Sequence, residues 1–464
     1  MLRFLLVLVC LLPGISAAAD SLLIKNIHLI AMTGPEPEVL PGYSVRIEQG
    51  VIREVGPVSQ VSAGAGAEVL DGQGQYLLPG LIDVHVHVWD KAELPAYLSY
   101  GVTAVRNASG MPFHLDYARA ISAGELTGPF LLTTGPILNS PGPNQQANHK
   151  LVITADEAVA AVRDQYQQGF RHIKVYSNLS RVAYEAILAE AAELGMTVMG
   201  HSPEGLRDEG IPTEKPFNIA FEEILDDGLV TLEHMETIVW HGLYDALDED
   251  RLRALARAIA AQGNAVTPTL LAHHNLAEVA RTQGAYLQRP GTEMLNPFIA
   301  ALEQPLYDFW SSQPVGSRHE QDVFYQQATR MMQEEGVMLL AGSDAGIFTN
   351  IPGESLLDEL DLMVAGGLTP FQAIQTATAN AGWRLPLEGR GVIREGHPAD
   401  LILVEHNPLD DLRALRTLSG VVAQGHWYDR DGLADLRAQA SQTSVERTQT
   451  QLMEGLAAQG TTLE

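Results

Sequence analysis

The chain has 464 residues, 46% of them hydrophobic and 19% charged, and its 29 Lys and Arg against 57 Asp and Glu give a formal net charge of −28. That balance excludes the basic patches through which proteins hold nucleic acid or anionic membranes, and the acid excess is read as serving solubility rather than substrate. The single cysteine, Cys10, excludes an intrachain disulfide and a Cys-rich metal site, so any metal must be held by nitrogen and oxygen.

Residues 1–19 carry Arg3, an apolar run over 4–12, a break at Pro13-Gly14 and the small residues Ala17, Ala18 and Ala19. This is a secretory signal pattern, which predicts an exported protein, periplasmic or secreted. The run is shorter than the roughly 20 residues a bilayer span needs, so stable membrane insertion is not expected.

Residues 20–77 show short strands over 22–32, 43–55 and 68–78, broken at Gln49-Gly50 and Gly72-Gln73-Gly74, the texture of antiparallel β. Over 78–388 eight β-rich runs, at 81–88, 102–107, 130–134, 172–176, 197–201, 229–234, 265–270 and 337–343, alternate with helical patterns such as 180–194 and 249–262. The stretch 281–335 exceeds a simple βα unit and carries Tyr307, Phe309 and Trp310; added padding is favoured over a lid or an oligomer contact. Residues 389–428 are again strand-like, and 429–464 read as a terminal helix or loose tail with no chemistry. The expected fold is α/β: a (β/α)8 TIM-like barrel with a small β-sandwich built from the N- and C-terminal flanks.

The sharpest local signal is Pro79-Gly80-Leu81-Ile82-Asp83-Val84-His85-Val86-His87. Residues i and i+2 of a strand share a face, so His85 and His87 point into the barrel together, where two imidazoles can take one cation. In the fourth barrel run, Lys174 lies between the β-branched Ile173 and Val175, and it is one of only five lysines, at 25, 91, 150, 174 and 215. Burying an ammonium is costly. Either the amine is neutral and adds carbon dioxide, giving a carbamate that bridges two cations, or it pairs with Asp344 or another carboxylate. His201, His234 and Asp344 end the fifth, sixth and eighth runs. All six groups therefore reach the C-terminal mouth, where such barrels keep their sites. Tyr176 shares the face of Lys174, and Arg106 ends the second strand; both are candidate substrate contacts, against packing and a structural ion pair. His273 and His274 follow the seventh run and are set aside as exposed loop residues.

The order of these residues, with Leu78-Pro79-Gly80-Leu81-Ile82-Asp83 before the histidine pair and Gly396-His397-Pro398-Ala399-Asp400-Leu401 after the barrel, resembles the metal-dependent amidohydrolase superfamily. Gly101-Val102-Thr103-Ala104-Val105-Arg106, Ile173-Lys174-Val175-Tyr176, Gly200-His201-Ser202-Pro203 and Leu232-Glu233-His234 are similar to its imidazolonepropionase-related, Xaa-Pro dipeptidase-like branch. The resemblance implies two divalent cations, zinc favoured. His85, His87 and Asp344 would hold one, His201 and His234 the other, with carbamylated Lys174 between them. It also implies a bridging hydroxide that attacks an amide in a dipeptide or N-acyl amino acid, with Asp344 as catalytic proton shuttle. The chain departs from the pattern at Asn107, where many relatives carry Asp, and over 139–144, where they carry a Gly/His-rich loop; both are expected to face the substrate. Alternatives are a mononuclear cyclic-amidine deaminase or imidazolonepropionase-like hydrolase using His201 and Glu204, a lactonase or phosphotriesterase on the same site, and a barrel that only binds. A homo-oligomer is left open.

Overall fold

A computed structural model describes residues 21–461. The expected signal segment and Cys10 lie outside the described residues. Both flanks of the barrel enter one sheet of eight strands. Its order runs from His426–Asp429 through Leu418–Ala423, Leu401–Val404, Tyr76–Pro79 and Ser21–Leu29 to Leu40–Glu48 and Val51–Pro57, with Glu68–Asp71 also pairing Ser21–Leu29. The flanks thus share a continuous hydrogen-bond ladder, in which Leu401 to Val404 run antiparallel to Tyr76 to Pro79. The hairpin between Leu40–Glu48 and Val51–Pro57 turns at Gln49 and Gly50, whose φ values of 50° and 71° suit a tight two-residue connection. Strand Leu401–Val404 is apolar throughout because both faces are covered: Leu401 and Leu403 join the core of the satellite sheet, Ile402 and Val404 that of the barrel.

The barrel strands are Leu81–Val86, Val102–Asn107, Phe130–Thr133, His172–Val175, Thr197–Gly200, Thr231–Glu233, Ala265–Thr267 and Met338–Leu339. They pair in parallel, and the ring closes through isolated bonds: Gly135 N–H donates to His172 O at 2.8 Å, and Val84 N–H to Ala341 O at 3.0 Å. Helices start where side chains take up free N–H groups, as Thr154 does for Glu157, Ser180 for Ala183 and Asp248 for Arg251. Two expected strands are shortened. The seventh stops at Thr267 because helix Leu270–Arg281 begins three residues later, its first N–H groups held by the buried Glu359 carboxylate at 2.9 and 2.8 Å. The eighth loses its ladder after Leu339 as the chain turns to bond singly with the first strand.

The C-terminal segment forms two helices, Arg430–Ala440 and Val445–Ala458, rather than a loose tail. Leu452 and Leu456 of the second pack with Trp89, Met111 and Ile299, while Arg447 Nε donates to the buried Asp90 at 2.8 Å. The segment therefore braces the loop that leaves the first barrel strand. Padding is also the wrong description of 281–335: it folds into helices Pro297–Ser311 and His319–Glu334, and Trp310, Arg318 and Tyr325 line a chamber at the barrel mouth. No helix among the described residues is long and apolar enough to cross a membrane.

Candidate metal centre

The first barrel strand presents Asp83, His85 and His87 inward on one parity, all buried. Asp83 accepts from Ser343 N–H at 3.0 Å and from its hydroxyl, which ties the first strand to the turn before Asp344. His85 Nδ1 lies 2.6 Å from Glu233 Oε2; an ionised carboxylate only accepts, so Nδ1 carries the proton and the Nε2 lone pair faces the site. Nε2 of His85 and of His87 stand 3.5 and 2.9 Å from the same oxygen, Asp344 Oδ1, and these three residues have the spacing of a metal-binding group. Ser109 Oγ fixes the far side of His87 at 2.7 Å.

Strand alternation turns Thr231 and Glu233 inward, so the next residue, His234, would face out. Its φ of 70° breaks the extended backbone and re-aims the ring into the mouth; Asp344, at φ 56°, is turned in the same way. Such left-handed residues are strained and gather at functional sites. The tautomer of His234 follows from its neighbours. Thr269 Oγ1 has one proton and donates it to Pro268 O at 2.9 Å, so at 2.6 Å it accepts from His234 Nδ1–H. His234 Nε2 is then an unprotonated lone pair, buried and without a partner, and His201 Nδ1 is likewise buried and unpartnered. Buried ring nitrogens left bare are unusual, and a cation is a group that satisfies a pair of them. The rings of His85, His234 and His201 follow one another with centroids 4.7 and 4.2 Å apart, and Tyr176 covers His201 at 3.8 Å.

Lys174 is 1% exposed, and Nζ donates to His85 Nε2 at 2.9 Å; among the described residues it forms no ion pair with Asp344 or any other carboxylate. Burial pushes its ammonium down to about 8, with Glu233 and Asp344 opposing the shift. Burial also depresses His201 and His234, reinforced by the neighbouring cationic groups, which keeps both rings neutral and free to ligate. For Asp344 burial acts upward, but His85 and His87 together outweigh it and hold the carboxyl well below its ordinary range.

Arg106 requires a correction. It does not reach the mouth: Nε donates to Val84 O at 2.6 Å, one terminal nitrogen to Thr231 Oγ1 at 2.9 Å and the other to Glu233 Oε1 at 2.8 Å. At 2% exposure it is the counter-ion of Glu233 and has no free donor face for a substrate carboxylate. Asn107 is also buried rather than facing substrate, accepting from Val88 N–H and donating to Thr133 Oγ1, both at 3.0 Å. Of the 139–144 loop, Asn139 is buried and Asn144 lines the outer chamber. Tyr176 does line the cavity.

Several residues were not singled out from sequence. Glu233 sits inside the Leu-Glu-His motif, and its strand parity was the signal that places it inward. His149 packs on Tyr176 with centroids 4.5 Å apart; its Nδ1 accepts from Asn139 Nδ2 and Gln146 N–H, in a loop with no pattern to announce it. His273, set aside as exposed, is 8% exposed and lines the cavity. The cavity has an inner chamber of about 620 Å³ over the histidines and Asp344, joined to an outer one of about 890 Å³ that opens to solvent.

Over 86 residues the sequence is 41% identical to an ochratoxinase of Aspergillus niger, a stretch covering 18% of this chain and 16% of that protein, well short of its length. An alignment of 423 residues with an imidazolonepropionase of Idiomarina loihiensis is 25% identical and covers 82% of this chain and 90% of the relative. A crystal structure of a Xaa-Pro dipeptidase with bound methionine in the active site shares the fold at a TM-score of 0.65 and 20% identity, over 88% of this chain and 100% of the other. The pattern of the amidohydrolase family matches residues 76–448, from the strand that enters the barrel into the last helix, and the chain belongs to that family.

Proposed function

We propose that the chain is a binuclear metal-dependent hydrolase of amide bonds, acting on dipeptides or N-acyl amino acids. The observation that carries this reading is the pair of buried ring nitrogens without partners on His201 and His234 beside a second donor group of His85, His87 and Asp344, with Lys174 at the junction. His85, His87 and Asp344 would hold one cation and His201 and His234 the other, with Lys174, carbamylated, supplying an oxygen to each. A depressed, buried amine is the form that adds carbon dioxide, and the resulting anion suits a site crowded with imidazoles. Divalent cations held there, zinc being favoured for this donor set, supply Lewis acidity and lower the pKa of a water.

The chain's own groups do the rest. Glu233, Ser109 and Thr269 hold three imidazoles in fixed orientation from behind. Asp344, ionised, takes a proton from the attacking water and returns it to the leaving amine. Tyr176, which lines the cavity, would donate its hydroxyl proton to the substrate carbonyl as charge develops there. The mononuclear alternative needs Glu204 as a free proton carrier, but that carboxylate is bonded to Arg207 Nε at 2.7 Å. We also propose that the chain is exported, on its N-terminal residues.

The test counts metal ions per chain in the wild type and in Lys174→Ala and assays a panel of dipeptides, N-acyl amino acids and lactones. Two ions falling to one or none, with amide hydrolysis lost, is the expected result. One ion in the wild type supports the mononuclear alternative, and full loading with undiminished turnover in Lys174→Ala removes the bridging role.

A further inference from the structure

The wall between the chambers carries polar groups that the centre just described does not use. His273 lines both chambers, is 8% exposed, and neither ring nitrogen has a hydrogen-bond partner among the described residues, where a carboxylate oxygen of Asp322 lies 4.0 Å from Nδ1. A buried donor and acceptor left unpaired are costly, and a ligand that bonds them recovers that cost. Glu236, the second residue of the helix Met235–Leu243 that follows His234, also lines both chambers, and Asp245 lines the outer one; neither carboxylate has a hydrogen-bonded or ion-paired partner among the described residues. Arg207, which lines the outer chamber, is already bonded to Glu204. Arg318 also lines it and forms no ion pair among the described residues. Two carboxylates without partners thus face one guanidinium without one, and the indole of Trp310 adds a face that attracts cations.

From this wall we infer that the outer chamber recognises a protonated amine carried by the substrate next to the scissile carbonyl, with Glu236 and Asp245 as its counter-ions and His273 as a further polar partner. The α-ammonium of an unblocked aminoacyl amide lies two bonds from the carbonyl carbon, so its partner must face the inner chamber as well as the outer, and Glu236 is the free carboxylate that does. Blocking the amine removes the charge and leaves Glu236, Asp245 and His273 unpaired. The inference rests on the amide-hydrolase reading for its orientation of the substrate, but it concerns binding and is tested as binding.

The probes are L-leucinamide, its N-methyl derivative, which keeps the charge, and N-acetyl-L-leucinamide, which loses it, titrated calorimetrically into the metal-loaded full chain. Expected are comparable affinities for the two cations and weakening of about 10-fold or more for the acetylated probe, the scale of a charge-assisted hydrogen bond. In Glu236→Gln/Asp245→Asn that gap closes to within about 3-fold. These substitutions keep shape, and circular dichroism with a melting curve confirms the fold; raising the salt concentration provides a second reading, narrowing the gap in the wild type alone. A wild type that binds the acetylated probe as well as the cations, or a gap that survives in the double variant, overturns the inference. Hydrolysis of the same amides is scored separately. Turnover without amine preference leaves the hydrolase and removes this site; amine preference without turnover does the reverse.

Discussion

Replacing Thr269 by Val tests the tautomer argument at its narrowest point. Valine keeps the β-branched shape at a residue with φ of 45°, so the strain of the turn is unchanged, and Pro268 O retains its bond from Met235 N–H at 2.8 Å. What disappears is the acceptor for His234 Nδ1–H, 2.6 Å away and buried. Leaving that donor unsatisfied costs about 1–3 kcal/mol of stability. The ring is also released to carry its proton on Nε2, which removes the lone pair needed by a cation. Loss of a group that orients a ligating histidine lowers metal affinity by about 10- to 100-fold. Chelator competition on the metal-loaded protein, with denaturant unfolding of the metal-free protein alongside, separates the two effects. Thr269→Ser, which keeps the hydroxyl, should behave as wild type in both. Unchanged metal affinity in Thr269→Val would refute the assignment of His234 Nε2 as a ligand.

Arg106→Met leaves Glu233 as an unpaired buried charge and should cost about 3–5 kcal/mol in denaturant unfolding, whereas a substrate contact at Arg106 would instead raise KM and spare stability. Tyr176→Phe should retain full metal content but lose about 10- to 100-fold in kcat, read by turnover at saturating substrate; a change confined to KM would place the hydroxyl outside the transition state. The Asp322 and His274 pair, 3.0 Å apart, gives a pH signature. Burial pushes Asp322 up, but the neighbouring His273 and the bonded His274 overcome it and lower the carboxyl; burial pulls His274 down, but Asp322 outweighs it and raises the imidazole. The lowered carboxyl contributes stability above its unfolded value of about 4, lost as pH falls through the folded value, and the raised imidazole contributes below about 6.5, lost as pH rises through its folded value. The pair is therefore fully stabilising between those limits, and Asp322→Asn should cost about 1–2 kcal/mol there and much less at pH 9. Equal losses at both pH values in melting experiments would show that packing, not charge, is what Asp322 supplies.

The sequence by itself determined the frame. Period-two alternation is imposed by the backbone of a single strand, so His85 and His87 could be placed on one inward face without any partner in view. The scarcity of lysine and the β-branched neighbours of Lys174 exposed it for the same local reason, and the strand and helix alternation over 78–388 announced the barrel. Tertiary structure decided which groups meet. Arg106 and Glu233 are 127 residues apart and His85 and Glu233 148 apart, so the ion pair that removes Arg106 from the mouth exists only once the barrel closes. His234 and Asp344 depend on single positive φ values that alternation cannot foresee. His273, Glu236 and Arg318 gain a shared chamber from three separate elements, which also alters the meaning of the acidic composition: a charge of −28 is a property of the whole surface, but the two carboxylates without partners are a property of one wall. Periodicity is set by neighbours a few residues away, whereas the choice of partner is set by ring closure across more than a hundred, and the chemistry of this site lies in the second.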